Sequence, residues 1–315
     1  MNPIPLDANE AWVEDFDFSF SYRNYSSSGE GRIFVVLVPV PRIELRIQLS
    51  DVPENLRYTI GMHTDEFLLS ANEINLNMLI TGIHGQSGNG PIDVTVTPVA
   101  EPSTLRGFAN DEFSKIQFRI FNMRDVVGTR REIEEHEGDQ CWVDHMDLVG
   151  VGYSVDLFAF VDTRERVKQM LATGQYQQTH GALVEGAECF TNDTAKRVLE
   201  DVMLFLSFSN GSYMRPCCAQ GVAEEGQIVW SHLGSPDSRK PASHSWFDCR
   251  HGSQLVEAYP LWSARMSSES WRKCLFEVVQ LYLAAADPSK GVEGGLILSQ
   301  TALERLSYEI YVLNK

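Results

Sequence analysis

A chain of 315 residues is long enough for two units with separate cores, and 43% hydrophobic with 22% charged side chains is a globular rather than a disordered composition. The formal charge of -17 is uneven, with 28 acids against 14 Lys and Arg in residues 1–186 and 15 against 12 in residues 187–315. Phosphate backbones are bound by clustered Lys and Arg that release counterions, so the first part is a poor nucleic-acid surface, and its acidity serves solubility.

The opening residues, MNPIPLDANEAWVEDFDF, carry acids with neither a basic nor an apolar leader segment, so no secretory signal is expected. The longest apolar run, IFVVLVPV from Ile33 to Val40, is too short to span a bilayer and contains Pro39, so no membrane partner is expected. The cysteines (Cys141, Cys189, Cys217, Cys218, Cys249, Cys274) have no regular spacing and read as reduced thiols. The expected location is the cytoplasm.

The first half reads as strands. IELRIQL alternates throughout, placing Ile43, Leu45, Ile47 and Leu49 on one face and Glu44, Arg46 and Gln48 on the other, as in a sheet with one wet side. The same period marks Ile74, Leu76 and Met78, then Ile92, Val94 and Val96 until Pro98 ends the ladder, then Ile116, Phe118 and Ile120, and finally Tyr153, Val155 and Leu157. SSSGEG, HGQSGNGP and HEGDQ are turn compositions between them. Many short alternating strands predict an antiparallel β-sandwich or barrel-like domain over residues 1–162, and no strand leads into a Gly-rich phosphate loop.

Beyond residue 163 the pattern becomes mixed. TRERVKQMLATG predicts a short helix ending at Gly174, QTHGALVEG a strand, and the run from about Asn192 to Phe208 a helix capped by Thr191 or Asn192 with Asp193 in its first turn. Its buried stripe is Ala195, Val198, Leu199, Val202 and Leu206, and Asn210-Gly211 ends it. SYMRPCCAQGV and GQIVWSHL read as a hairpin around AEEG, so residues 163–260 form a mixed α+β segment. Residues 261–315 predict a helical hairpin, with Trp271, Cys274, Leu275, Val278, Tyr282 and Ala285 on one helix. Leu296, Leu303, Leu306, Ile310 and Leu313 follow on the other, with Ser299 filling the gap. Such stripes need a surface to bury against, either the rest of the protein or a homo-oligomeric or protein partner. The fold class expected is therefore α+β.

The densest reactive cluster is HSWFDCRHG, where His244, Asp248, Cys249, Arg250 and His251 lie close together. An Asp and a His can orient a base, and a Cys beside Arg can become a thiolate. The plainer reading has Trp246 and Phe247 anchoring a loop while Asp248 caps a helix that starts in HGSQLVEAY. CWVDHMD puts Cys141, His145 and Asp147 on one face of a strand, but without a second Cys/His pair at zinc spacing. Adjacent Cys217 and Cys218 read as small strand residues, and Gln300 with Glu304 as a solvated helix face. No residue set calls for a cofactor or a metal ion.

The stretch VKQMLATGQYQQTHGALVEG, the helix ending LFLSFSNGSYMRP, the strand GQIVW, WFDCRHG and GLILSQTALERL together resemble a bacterial ApeA-like abortive-infection family. In that family an N-terminal β domain precedes a HEPN-type helical domain, and the similarity covers about the last half of the chain. The resemblance implies a part in antiphage defence or a toxin-type system. It also implies RNA cleavage by an Arg, a polar residue directly after it, and a His with four to six residues intervening, late in the helical bundle. Arg57 with His63, Arg131 with His136, and Arg239 with His244 have that spacing. The first lies in the β region, the second in an acidic stretch, and the third contains Pro241, which interrupts a helix. None is assigned a catalytic role, and the C-terminal hairpin is expected as a partial HEPN-like bundle lacking that motif. The function expected is a recognition and assembly component, with a HEPN-class ribonuclease and a hydrolase centred on Asp248 and His251 as alternatives.

Overall fold

The computed structural model describes residues 10–22, 25–37, 41–53, 67–71, 74–85, 91–98, 103–106, 112–136, 139–236 and 245–313. The alternating strands of the first hundred residues close on themselves. β1 (Glu10–Tyr22), β2 (Tyr25–Val36), β3 (Arg42–Leu49), β4 (Phe67–Ala71), β5 (Ile74–Gly85) and β6 (Ile92–Pro98) form an antiparallel barrel in the order β1-β2-β3-β6-β5-β4. Closure comes from β4 pairing back onto β1, with Phe18 opposite Ala71. A closed barrel leaves no unpaired edge among these strands.

Its interior is the apolar half of each alternation. Phe16, Phe18 and Phe20 from β1, Ile33 and Val35 from β2, and Ile43, Leu45, Ile47 and Leu49 from β3 are all buried, with Val94 and Val96 of β6 beside them. Gly31 is required by this packing: a Cβ there would stand 2.7 Å from the Phe16 ring and 2.9 Å from Ile47.

The second sheet has eight antiparallel strands. They are β7 (Ser103–Arg106), β8 (Phe113–Phe121), β9 (Arg130–His136), β10 (Asp139–Val149), β11 (Tyr153–Ala159), β12 (Gln178–Phe190), β13 (Cys217–Val222) and β14 (Ile228–Leu233). Their order is β7-β14-β13-β8-β12-β11-β10-β9. The change of sheet thus falls between β6 and β7, not at residue 162. β11 and β12 lie on either side of that expected boundary yet pair along their length, from Tyr153 opposite Gly186 to Ala159 opposite His180.

Helix α1 (Thr163–Thr173) occupies the connection between β11 and β12 and ends at Gly174, whose φ of 79° is the left-handed conformation glycine tolerates. α2 (Asn192–Asn210) opens with a reciprocal capping box between Thr191 and Thr194 and ends at Gly211, φ 68°. Its stripe of Ala195, Val198, Leu199, Val202 and Leu206 is buried against Phe113, Phe118, Val155, Leu157, Val184 and Trp230 of the sheet. α3 (Ser253–Met266) adds Leu255 and Tyr259 to the same core. α4 (Glu269–Ala285) packs on α2 and α3 through Leu275, Val279 and Leu283. A short turn, Pro288–Lys290, leads into α5 (Gly291–Tyr308), which continues as a π-helical turn, Glu309–Leu313. The fold is α+β, with an antiparallel barrel first and a helical pair last. No helix among the described residues is long and apolar enough to cross a membrane.

Barrel and sheet share a buried contact. Phe121, Cys217, Cys218 and Leu233 of the sheet belong to the same apolar cluster as the barrel interior.

Candidate functional site

Alternation also dictates what the barrel shows outside. Arg32 stands opposite Arg46, Phe34 opposite Glu44, Arg46 opposite Thr95 and Gln48 opposite Asp93, so the register lines up polar side chains from β2, β3 and β6 as neighbours. With Glu30, Arg42 and Thr81 they line an open groove of about 820 Å³ across these strands and β5.

Glu44 is the pivot of this surface. It is 6% exposed although it faces outward, because Arg42 and Arg46 cover it. Arg42 Nε donates to Glu44 Oε1 at 2.8 Å, and Arg46 Nη2 to Oε2 at 3.1 Å. Arg46 also reaches Glu10 with both guanidinium nitrogens, Nη1 to Oε1 at 2.9 Å, and its Cζ lies 4.1 Å above the Phe34 ring. The Arg46 hydrogen bond holds the Glu10 carboxyl below its usual range, and the same bond raises the guanidinium. A planar guanidinium that is forked, stacked and doubly paired is fixed in place more firmly than any lysine there would be. At the other end, Gln48 Nε2 donates to Asp93 Oδ1 at 3.0 Å.

The lining carries Arg32, Arg42 and Arg46 against Glu30, Glu44 and Asp93, so its charges balance. It offers hydrogen-bond donors and acceptors in fixed positions, one aromatic face and two threonine hydroxyls, and its described lining holds no His, Cys or Lys to act as a base or nucleophile. The sequence already placed Glu44, Arg46 and Gln48 together on the outer side of IELRIQL. It gave no sign of Glu10 and Phe34 beside them, since those come from other strands and from the register, while Arg42 stands two residues before Glu44 on β3 itself.

The residues singled out from sequence fall elsewhere. Asp248 and His251 do meet, with His251 Nδ1 3.3 Å from Asp248 Oδ2, but both side chains are more than half exposed on a turn. Asp248 does not cap α3. Its Oδ1 accepts the Arg250 backbone N–H at 2.9 Å, while the helix cap is Gly252 with no side-chain bond. That hydrogen bond lowers the Asp248 carboxyl. His244 lies outside the described residues, as do Arg57, His63 and Arg239. Arg131 and His136 are on strand β9, not a helix, and Arg131 pairs with Asp144.

Cys141, His145 and Asp147 lie on β10, and Arg130 bridges the last two, its Nη2 3.5 Å from His145 Nδ1 and 3.1 Å from Asp147 Oδ1. His145 Nδ1 is 2.9 Å from Asp156 Oδ1, and Asp147 accepts from Arg130. Among the described residues no three His, Cys, Asp or Glu side chains converge as metal ligands. Cys217 and Cys218 are buried with their sulfurs 3.6 Å apart.

The geometry defines a two-sheet α+β protein with a barrel that carries the groove and a sheet that carries the helices. Residues 109–244 match the family model for the YopA central domain, and residues 268–315 match that for the YopA C-terminal domain. The first match takes in most of the second sheet with α1 and α2; the second takes in α4 and α5. The groove lies in the barrel, ahead of both. No curated protein and no solved structure matches the chain.

Proposed function

We propose that this chain is a recognition and assembly protein: the barrel groove binds a polar ligand, and the C-terminal helices assemble the bound protein with a partner. The observation that carries the reading is the fixed, charge-balanced network around Glu44 and Arg46 beside an open groove. A balanced surface with alternating donors and acceptors favours a ligand carrying both signs of charge, and an extended peptide of mixed charge has that chemistry. Net-anionic ligands gain little, because each arginine that would attract them is already paired or flanked by a carboxylate. The resemblance to abortive-infection proteins adds a biological setting, a self-limiting defence or toxin-type system, in which this chain serves as sensor and scaffold.

The test is a panel of mixed-charge, acidic and basic peptides titrated against the full chain by isothermal calorimetry. Mixed-charge peptides are expected to bind, with Arg46→Ala weakening them roughly 10-fold or more, as losing one charge-assisted contact implies. Equal binding of wild type and Arg46→Ala sinks the groove as the site. Cleavage of added RNA by the purified chain, undiminished in Arg46→Ala, overturns the recognition reading in favour of an effector ribonuclease.

A further inference from the structure

Adjacent residues of a regular strand point to opposite faces, so Cys217 and Cys218 at the start of β13 would ordinarily hold their sulfurs on opposite sides of the sheet. Here they meet instead. The Cys217 thiol donates to Cys218 Sγ at 3.6 Å, and both side chains lie in one apolar cluster with Phe121, Leu233 and the barrel interior. The cause is a bulge. Cys217 stands opposite Arg119 and Gln220 opposite Gln117, so Cys218 and Ala219 together face the single residue Phe118. Cys218 absorbs the extra length with a φ of 50°, the left-handed conformation. Among the described residues the other non-glycine positions of positive φ are Asp51 and Asn122, and Asp and Asn are the side chains that visit this region; cysteine is not. Glycine would sit there without strain. A cysteine held there instead brings two thiols to one side of the strand, and strained backbone of this kind gathers where the chain does something.

We propose that Cys217 and Cys218 are a redox modification site, closed to a vicinal disulfide by hydrogen peroxide and reopened to the dithiol by a thiol reductant. The site stands apart from the groove and from the C-terminal helices, and needs neither. Hydrogen peroxide is the oxidant because it is small and neutral, the kind of molecule a nearly closed apolar site admits. Cys218, 3% exposed against 0% for Cys217, is reached first. Its sulfur attacks one peroxide oxygen, the O–O bond breaks, and the second oxygen leaves as water with the thiol proton, which makes Cys218 a sulfenic acid. The Cys217 sulfur then attacks that sulfur, the S–O bond breaks, and the hydroxyl leaves as a second water with the Cys217 proton. The two thiols give up two electrons and the peroxide takes them. Closure brings the sulfurs from 3.6 Å to about 2 Å. Neighbouring Cα atoms are about 3.8 Å apart, short of the usual span of a bridged pair, so the ring is strained and the bond is readily reduced, as a reversible switch requires. The site also has something to act on. Gln220, two residues further on, donates to Glu14 of β1, so a shift of the bulge reaches the bond between sheet and barrel.

The test treats the full chain with hydrogen peroxide, alkylates it in denaturant, digests it with trypsin and reads the peptides by mass spectrometry. The peptide of residues 198–239 holds Cys217 and Cys218 and no other cysteine, because Pro216 protects the bond after Arg215. It is expected to lose two hydrogens and take up no alkylating agent, and to take up two after dithiothreitol. Two alkylated cysteines in this peptide, under conditions that oxidise the exposed Cys189, overturn the proposal. A sulfinic acid at either position, or a bond to another cysteine, overturns it equally. Cys217→Ser is expected to stop Cys218 at the sulfenic acid, trapped as a dimedone adduct that the wild type lacks; the same adduct in both proteins refutes ring closure. The peroxide-treated wild type is expected to be cut faster by proteinase K between β6 and β7, reversed by dithiothreitol and not seen in Cys217→Ser. Unchanged cutting overturns the link from the disulfide to the barrel.

Discussion

Gln220 Nε2 donates to Glu14 Oε2 at 2.8 Å, joining strand β13 of the sheet to strand β1 of the barrel across 206 residues of sequence. Both side chains are buried, and Gln220 Oε1 in turn accepts from Gln117 Nε2 at 2.9 Å. The network fixes how the groove-bearing barrel sits on the helix-bearing sheet.

Removing its centre has a defined cost. Gln220→Ala is expected to destabilise the chain by about 1–3 kcal/mol, the penalty for stranding buried polar partners. It is also expected to quicken proteolysis between β6 and β7. Urea unfolding and limited proteinase K digestion measure the two effects; an unchanged cleavage pattern argues that the apolar contact alone holds the units together.

The groove network contributes to stability as well as recognition. Arg46→Ala leaves Glu44 covered by Arg42 alone and frees Glu10, so a loss of about 1–2 kcal/mol is expected, less than for a fully buried pair because Arg46 is about a third exposed. Arg32→Ala, whose partner Asp15 is exposed at 3.7 Å, is expected to change stability by less than about 0.5 kcal/mol. Denaturant midpoints of the two variants test the contrast.

Acid acts on buried His180 and half-buried His232. Burial pushes His180 down to about 3 and His232 down to about 4 from 6.5. In the unfolded chain both take up a proton near 6.5, whereas the fold keeps them neutral. Stability is therefore complete above 6.5 and falls as pH drops toward 4, by up to about 1.4 kcal/mol per pH unit for each. His180→Leu is expected to flatten this acid limb in thermal melts at pH 4–7.

Asp201 works in the opposite direction. Burial raises its carboxyl to about 6 from 3.8, outweighing Arg272 Nη1 at 2.6 Å. Between about 4 and 6 the folded state holds a proton the unfolded state has released, so this group costs stability as pH rises through that window. Removing its titration leaves the histidine effect unopposed: Asp201→Asn is expected to lose stability more steeply on acidification than the wild type. Parallel melting curves for the two proteins contradict this assignment.

Gly31→Ala tests the barrel interior. The added Cβ meets the buried Phe16 ring and Ile47 below 3 Å, so the barrel interior must shift, and a loss of about 1–3 kcal/mol is expected by calorimetry.

Local pattern was enough to read most elements. Period-two alternation marked β3, β6, β8 and β11, and the Thr191 cap and Gly211 end marked α2, because side-chain direction and capping depend only on neighbours in sequence. The sheet boundary was not legible, since β11 and β12 pair around an intervening helix and no local signal reports a partner strand. The same limit hid the groove. Glu44 read as a wet-face residue beside Arg46, and only register brought Phe34 and Glu10 to the same place.

By itself the sequence determined which side chains face inward along each strand and helix, and it marked α5 as carrying a stripe that needs a neighbour. The tertiary structure decided what each stripe meets: Glu44 buried under arginines, Asp248 and His251 left on an exposed turn, Leu303 turned to solvent. Periodicity is written into the chain by backbone geometry over a few residues, whereas contact between distant strands depends on how whole elements close and pack.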